Sequence, residues 1–280
     1  MLEPCRVSAP NGYERPGIAG SGTIATGLAA CASALGEVWL LARSDASAWR
    51  AEEQAQATAA KLEGAVAGHI RVTTDVAKLA GCDLVVEAIA EDPEAKVALL
   101  AEVGATAPRA DLATTTSSLS IAELGQRSGH AERFFGLHVF HPVTRMELVE
   151  VCVPETTRNG VADRATAWCA ALDKTPVEVP DSAGFVVNRL LFPYLFDSVR
   201  LMERTGLSAA AVDDCMRLGA GHPMGPLKLL DFVGLDVALA IGRTLHAESG
   251  DESHLPPKTI ADLVSAGKTG RKAGEGFYTY

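Results

Sequence analysis

One histidine and one glutamate sit in two short apolar runs of the stretch RFFGLHVFHPVTRMELVEV, residues 133–151. His138 lies in the first run and Glu150 in the second. A proline bend, His141-Pro142-Val143-Thr144, separates them. Two short apolar runs joined by a turn read as two strands. The fold can then bring the two ionisable side chains together, as a histidine base oriented by a carboxylate requires. The plainer alternative is a satisfied core histidine and a solvated strand glutamate. The elements around the stretch decide between the two.

Those elements begin upstream with a glycine-rich turn, Gly20-Ser21-Gly22-Thr23-Ile24-Ala25, which follows Pro16-Gly17-Ile18-Ala19. Its G-x-G-x-x-A pattern has a specific physics. Gly20 permits a tight strand-to-helix turn, and Gly22 lets the backbone approach a pyrophosphate. Ala25 lets helix and strand pack closely, while the helix N-terminus around Thr23 and Ile24 faces the phosphates. A helix-like stretch to Leu35 and a strand over 38–42 supply the context that such a motif needs. The strand before Gly20 is short, with Pro16 and Gly17 where it should begin. Residues 1–15 show no periodicity and read as a loose tail.

A dinucleotide site needs a residue after its second strand to read the ribose 2′ position. An acid there bonds the 2′-hydroxyl of NAD, and an arginine accommodates the 2′-phosphate of NADP. Arg43 stands at that position, with Ser44 beside it as a further phosphate donor and Asp45 close enough to reach a ribose. The charge favours NADP, and Asp45 keeps NAD open.

Helical propensity continues over 46–67, and strands are expected at 70–73, 83–89 and 112–115. Glu91 and Lys96 fall around the start of a helix at 93–106. Ser117 and Ser118 fall at the end of a strand, where open α/β sheets bind ligands. A helix at 159–172 and a strand at 176–179 lead to a turn-rich junction at 180–184. Beyond it the pattern is helical only. Asn188 comes one turn before Pro193, which is expected to kink its helix, and Ser208 caps the next one. The organisation expected is therefore a tail (1–15), an α/β Rossmann-like N-terminal domain (16–180) and a smaller all-α C-terminal domain (181–280).

Bulk properties narrow the partners. A chain of 280 residues, 48% of them hydrophobic, is long enough for two cores. A formal net charge of -10 argues against a general binder of nucleic acid or anionic membrane. The six cysteines are scattered, without C-x-x-C or metal-ligand spacing, which fits a reducing, cytoplasmic setting and no metal. No signal pattern or membrane span is read in the sequence.

In this order the motifs resemble the short-chain 3-hydroxyacyl-CoA dehydrogenases of the 3-hydroxybutyryl-CoA dehydrogenase type. The resemblance covers most of residues 17–280. It rests on the glycine turn, DLVVEAIAE (83–91), TTSSLSI (115–121), GLHVFHPV and MELVEV (136–151), GFVVNRLL (184–191), GHPMGPLKLLDFVGLD (221–236) and GRKAGEGFY (270–278). The resemblance implies His138 as the catalytic histidine and Glu150 as its carboxylate partner. It implies Ser117 and Asn188 as the polar groups on the substrate oxygen. Glu91, Lys96 and Lys272 match further cofactor-site positions, and the helical domain usually forms a homodimer. The implied activity is hydride transfer between NAD(P) and C3 of a 3-hydroxyacyl-CoA.

This chain departs from the family pattern at four places. Arg43 replaces the expected acid. His141 stands where the family has Asn, near the nicotinamide. The segment between Arg43 and Thr74 is shorter than the helical excursion that helps bind coenzyme A, and the first strand is poor. Two other readings therefore stand beside the leading one. One is a dehydrogenase of a non-CoA hydroxy acid, resembling the gulonate-dehydrogenase branch. The other is a dinucleotide-binding protein without turnover, against which the intact quartet of Ser117, His138, Glu150 and Asn188 argues.

Overall fold

The computed structural model describes residues 12–280. The chain divides into two compact units, one ending at Asp181 and one running Ser182–Tyr280.

The first unit is built on β1 (Pro16–Ala19), α1 (Thr23–Ala32), β2 (Val38–Leu41), α2 (Asp45–Ala59) and β3 (Ile70–Thr73). It continues with β4 (Leu84–Glu87), α3 (Pro93–Thr106), β5 (Asp111–Thr114), α4 (Ile121–Arg127) and β6 (Phe134–Val139), and closes with β7 (Leu148–Cys152), α5 (Val161–Ala171) and β8 (Thr175–Glu178). The strands form one eight-stranded sheet in the order β3-β2-β1-β4-β5-β6-β7-β8. The first six are parallel to their neighbours, β7 runs antiparallel to β6, and β8 parallel to β7. The strand order reverses between β1 and β4, and in open α/β sheets the ligand crevice lies at such a switch point.

Local chemistry explains these elements. The short β1 is stable because β2 and β4 pair with it on either side. Pro16 is tolerated because it is the strand's first residue. Small residues on α1 (Ala25, Ala29, Ala30, Ala32) are all buried and bring the helix down close to the sheet. A capping box between Ser44 and Ser47 starts α2. Helical propensity runs through residue 67, but α2 stops at Ala59. The chain turns there and passes Gly64 at φ +77° before a short 3-10 turn at Ala67–His69. Asp92 caps α3, whose first residue is Pro93, so that helix begins where its signals place it. Val38, Leu40, Ile18, Leu84 and Phe135 lie at the centre of the core, all without solvent exposure.

The loose tail expected over 1–15 is corrected at its inner end; residues 1–11 lie outside the described residues. Tyr13 is 3% exposed, and its hydroxyl donates to Asp111 Oδ2 at 2.7 Å. The backbone N–H groups of Glu14 and Arg15 donate to the Asp83 carboxylate at 2.8 and 3.0 Å. Arg158 and Arg164 also donate to Asp111, at 2.6 and 2.9 Å, so this buried carboxylate has three partners. A carboxylate with donors on both oxygens can anchor the chain because its desolvation is compensated.

The second unit consists of α6 (Val187–Thr205), α7 (Ala209–Asp214), α8 (Pro226–Val233), α9 (Leu235–Ser249) and α10 (Lys258–Ser265). Pro193 lies inside α6, which continues through it as a single helix, and Ser208 caps α7. Phe192, Leu195, Phe196, Val199, Leu227 and Leu230 form the core. Buried Asp231 accepts from the N–H groups of Phe277 and Tyr278 at 2.9 Å and ties down the C-terminal segment. Among the described residues no helix is long and apolar enough to cross a membrane.

Candidate active site

The C-terminal ends of the parallel strands carry most of the residues singled out by type and spacing. In sheet order they are Arg43 after β2, Gly20 after β1, Glu91 after β4, Ser117 after β5 and His138 near the end of β6. Four steps between neighbouring strands, at about 4.8 Å each, spread them over about 19 Å of one sheet edge.

The glycine turn fits a dinucleotide. Gly20 has φ +152°, and a Cβ there would collide with the Ala88 carbonyl, so only glycine suits this close passage. Its N–H donates to the Leu41 carbonyl at 2.9 Å, joining the ends of β1 and β2. A Cβ on Gly22 would meet nothing within 4 Å, so the backbone is open at the start of α1. Ala25 is fully buried beneath it. A cleft of about 350 Å³ is lined by Gly22, Thr23, Ile24, Glu91, Thr115 and Ser117. A second, of about 530 Å³, lies on the other side of the turn and is lined by Gly20, Arg43, Ser47, Arg50, Val76 and Leu99, among others.

Behind the first cleft runs a buried polar chain. Glu87 accepts from Lys96 Nζ at 2.8 and 3.0 Å, from the Thr114 hydroxyl at 2.6 Å and from the Ile89 N–H at 2.7 Å. Lys96 Nζ also lies 3.3 Å from Glu91 Oε2. Glu91 Oε1 accepts from the Thr116 hydroxyl at 2.5 Å, the Ser117 N–H at 3.0 Å and the Ser118 hydroxyl at 2.9 Å. Partial burial pushes the Glu91 carboxyl up. Lys96, Thr116, Ser118 and Ser117 outweigh that and hold it below the usual glutamate range. Glu91 is thus an anchored anion that fixes the backbone of Ser117. Lys96 is placed differently from the expectation: at 1% exposure it lies beneath the cleft, and it acts by holding Glu87 and Glu91.

His138 and Glu150 face each other across the antiparallel pair β6–β7. Directly opposed residues present their side chains on the same face of the sheet. His138 Nδ1 lies 2.6 Å from Glu150 Oε2, with exposures of 5% and 1%. The plainer alternative for Glu150, a solvated strand residue, is excluded by that burial. Against an ionised carboxylate Nδ1 carries the proton, so Nε2 is the basic nitrogen. The loop between the strands carries exposed His141 and is held from outside by the residue before β8: Lys174 Nζ donates to the carbonyls of Val143 and Met146 at 2.5 and 2.8 Å. Val143 in turn packs against Gly27 of α1, where a Cβ would lie 3.0 Å from its side chain.

Three further expected residues have other surroundings. Ser44 Oγ serves as the helix cap, accepting from Ser47 N–H at 3.4 Å. Asn188 and Lys272 belong to the second unit. Asn188 sits in the first turn of α6, and Lys272 Nζ pairs with Asp236 at 2.7 Å. Arg50, Glu87 and Thr116 were missed from sequence. Arg50 had a readable signal: Ser44, Ser47 and Arg50 recur at the three-residue spacing that shares a helix face. Glu87 and Thr116 had none beyond lying in buried-strand patterns.

A base alone cannot oxidise an alcohol, and a dinucleotide turn alone is half of a dehydrogenase. One sheet that carries both defines the protein as a nicotinamide-dependent oxidoreductase. The comparisons are more specific. Residues 16–182 match the 3-hydroxyacyl-CoA dehydrogenase, NAD binding domain, and residues 184–280 match the C-terminal domain of the same family. A probable 3-hydroxybutyryl-CoA dehydrogenase of Deinococcus radiodurans is 43% identical over 216 residues, covering 77% of this chain and 78% of the relative. Among solved structures, Mycobacterium tuberculosis FadB2 superposes with a TM-score of 0.91 at 34% identity, covering 96% of this chain and 99% of that one. The (S)-3-hydroxybutyryl-CoA dehydrogenase PaaH1 of Ralstonia eutropha gives 0.90 at 32%, with the same coverage. The chain belongs to the 3-hydroxyacyl-CoA dehydrogenase family, and its cofactor is a nicotinamide dinucleotide.

Proposed function

We propose that the protein interconverts 3-hydroxyacyl and 3-oxoacyl thioesters of coenzyme A, with short acyl chains such as the 3-hydroxybutyryl group in the names of its relatives. The buried 2.6 Å bond between His138 and Glu150 carries the reading. In the oxidative direction His138 Nε2 accepts the proton of the substrate hydroxyl, and in the reductive direction it returns it. Glu150 fixes the ring and stabilises the imidazolium. Ser117, held by Glu91, and Asn188 are assigned to the substrate oxygen. The bound dinucleotide supplies the hydride acceptor or donor at C3. Arg43, exposed at the end of β2, favours NADP over NAD.

The cysteines Cys31, Cys82, Cys152, Cys169 and Cys215 are free thiols, in keeping with a cytoplasmic setting. Exposed Leu190 and Leu218 (70% and 77%) on the helical unit suit a homodimer. A non-CoA hydroxy acid is the second reading. It is favoured by the brevity of the segment after α2, which ends at Ala59 with β3 starting at Ile70. Acetoacetyl-CoA is expected to drive oxidation of NADPH or NADH, followed by nicotinamide absorbance. Turnover of free keto acids with none of the thioester would overturn the leading reading in favour of the second.

A further inference from the structure

The 530 Å³ cleft beside the glycine turn has two chemically different parts. Val76, Ile89, Ala90 and Leu99 make an apolar part suited to a purine. Arg43, Ser47 and Arg50 make a cationic and hydroxyl-bearing part at the start of α2. Arg43 approaches from the end of β2. Ser47 and Arg50 are three residues apart on α2, hence on one face and about 4.5 Å apart along the axis. Among the described residues no ion pair occupies either guanidinium, whereas Arg71 is held by Glu37 and Arg127 by Glu94. In a chain with a net charge of -10, two adjacent arginines on the wall of a cleft form a local exception.

We infer that Arg50 is a second specificity-determining residue, which closes with Arg43 on a phosphate attached to the adenosine ribose of the cofactor. The inference rests on the dinucleotide reading of this cleft and deepens the assignment of Arg43. A ribose hydroxyl needs one acceptor and no cation, whereas a phosphate dianion takes several charge-assisted bonds and suits guanidinium forks from two sides. The Ser47 hydroxyl is committed to the Ser44 backbone, donating to its carbonyl at 2.8 Å, so the two arginines make the difference. Two carboxylates oppose them. Glu102 lines the same cleft, and Asp45 accepts weakly from the Thr74 hydroxyl at 3.4 Å. Asp45 is the residue that would serve a free 2′-hydroxyl instead.

Two ligands carry a phosphate on an adenosine ribose: NADP at the 2′ position and coenzyme A at the 3′ position. Gly20 and Ser21 of the phosphate turn share the cleft, which assigns it to the dinucleotide and the 2′ position. The test is calorimetric titration of the whole protein with adenosine 2′,5′-bisphosphate, adenosine 3′,5′-bisphosphate and 5′-AMP. The 2′,5′ isomer is expected to bind about a hundredfold tighter than 5′-AMP, and Arg50→Met is expected to cut that ratio about tenfold, the size of one of the two charge-assisted bonds. Arg50→Lys should restore part of the ratio. A ratio changed less than twofold by Arg50→Met, an equal loss for 5′-AMP, or a preference for the 3′,5′ isomer would each overturn the inference. These probes contain neither thioester nor nicotinamide. The substrate reading therefore stands or falls separately, on the acetoacetyl-CoA assay.

Discussion

Replacing Glu150 by Gln isolates what its charge does for His138. The amide keeps size and shape, and its oxygen can still accept from Nδ1, so the 2.6 Å contact survives as a neutral hydrogen bond. Hydrogen bonds to charged groups are worth about 1.5–3 kcal/mol net, and neutral ones about 0.5–1.5. The pair is nearly dry, with Glu150 at 1% exposure, which places the loss toward the upper part of the difference. A loss of about 1.5–2.5 kcal/mol, at 1.36 kcal/mol per factor of ten, is about 10- to 70-fold in the chemical step. His138→Gln removes the base itself and should cost about 10²- to 10⁴-fold. Stopped-flow single turnover with acetoacetyl-CoA separates this step from binding, and cofactor affinity measured by nicotinamide fluorescence serves as the control. If Glu150 acts through His138, the double variant should be no slower than His138→Gln alone. A Glu150→Gln rate within threefold of wild type, or losses that multiply in the double variant, would refute the coupling.

Three other outcomes are expected. Arg43→Asp should move the kcat/KM preference toward NADH, and an unchanged NADPH/NADH ratio would remove Arg43 from cofactor choice. Lys96→Met leaves Glu87 buried without its cation and should cost about 3–5 kcal/mol, measured by urea unfolding; a loss below 1 kcal/mol would show that the buried chain is not held by Lys96. Glu91→Gln tests the pH dependence. Because the folded Glu91 carboxyl is held below its unfolded range, its contribution is present above that range, about 4.3, and disappears as pH falls through the lowered value. At 38% side-chain exposure the difference between wild type and variant should be only about 1 kcal/mol near pH 7. It should vanish in acid, and a difference that persists unchanged into strong acid would contradict the assignment.

The residues differ in how far their neighbours in sequence announced them. Gly20, Gly22 and Ala25 were legible because a close approach of backbone to sheet admits few side chains. The His138–Glu150 pair was legible because two apolar runs about one bend can register in few ways. The start of α3 was legible because Asp92 and Pro93 are local signals. β1 read as a short, poor strand, since its stability comes from pairing with β2 and β4, which lie outside its own stretch of sequence. Lys96 read as a cofactor-site cation near the start of α3. Its burial depends on Glu87, which arrives from another element, and no window around Lys96 contains that information. Tyr13 looked like part of a tail for the same reason, its partner being Asp111.

That last contact affects where the first unit can be cut. The family match begins at residue 16, but the folded structure is already under way at Tyr13. An isolated first unit trimmed to the edge of the family match would lose a buried ring that stacks edge-on against Trp168, with centroids 6.3 Å apart. It would also lose one of the three partners of Asp111. Removing a buried aromatic typically costs about 3–5 kcal/mol, a large share of a domain's margin of about 5–15. A dissection meant to preserve the sheet should therefore begin no later than Gly12, and an N-terminal fusion should be joined ahead of that residue.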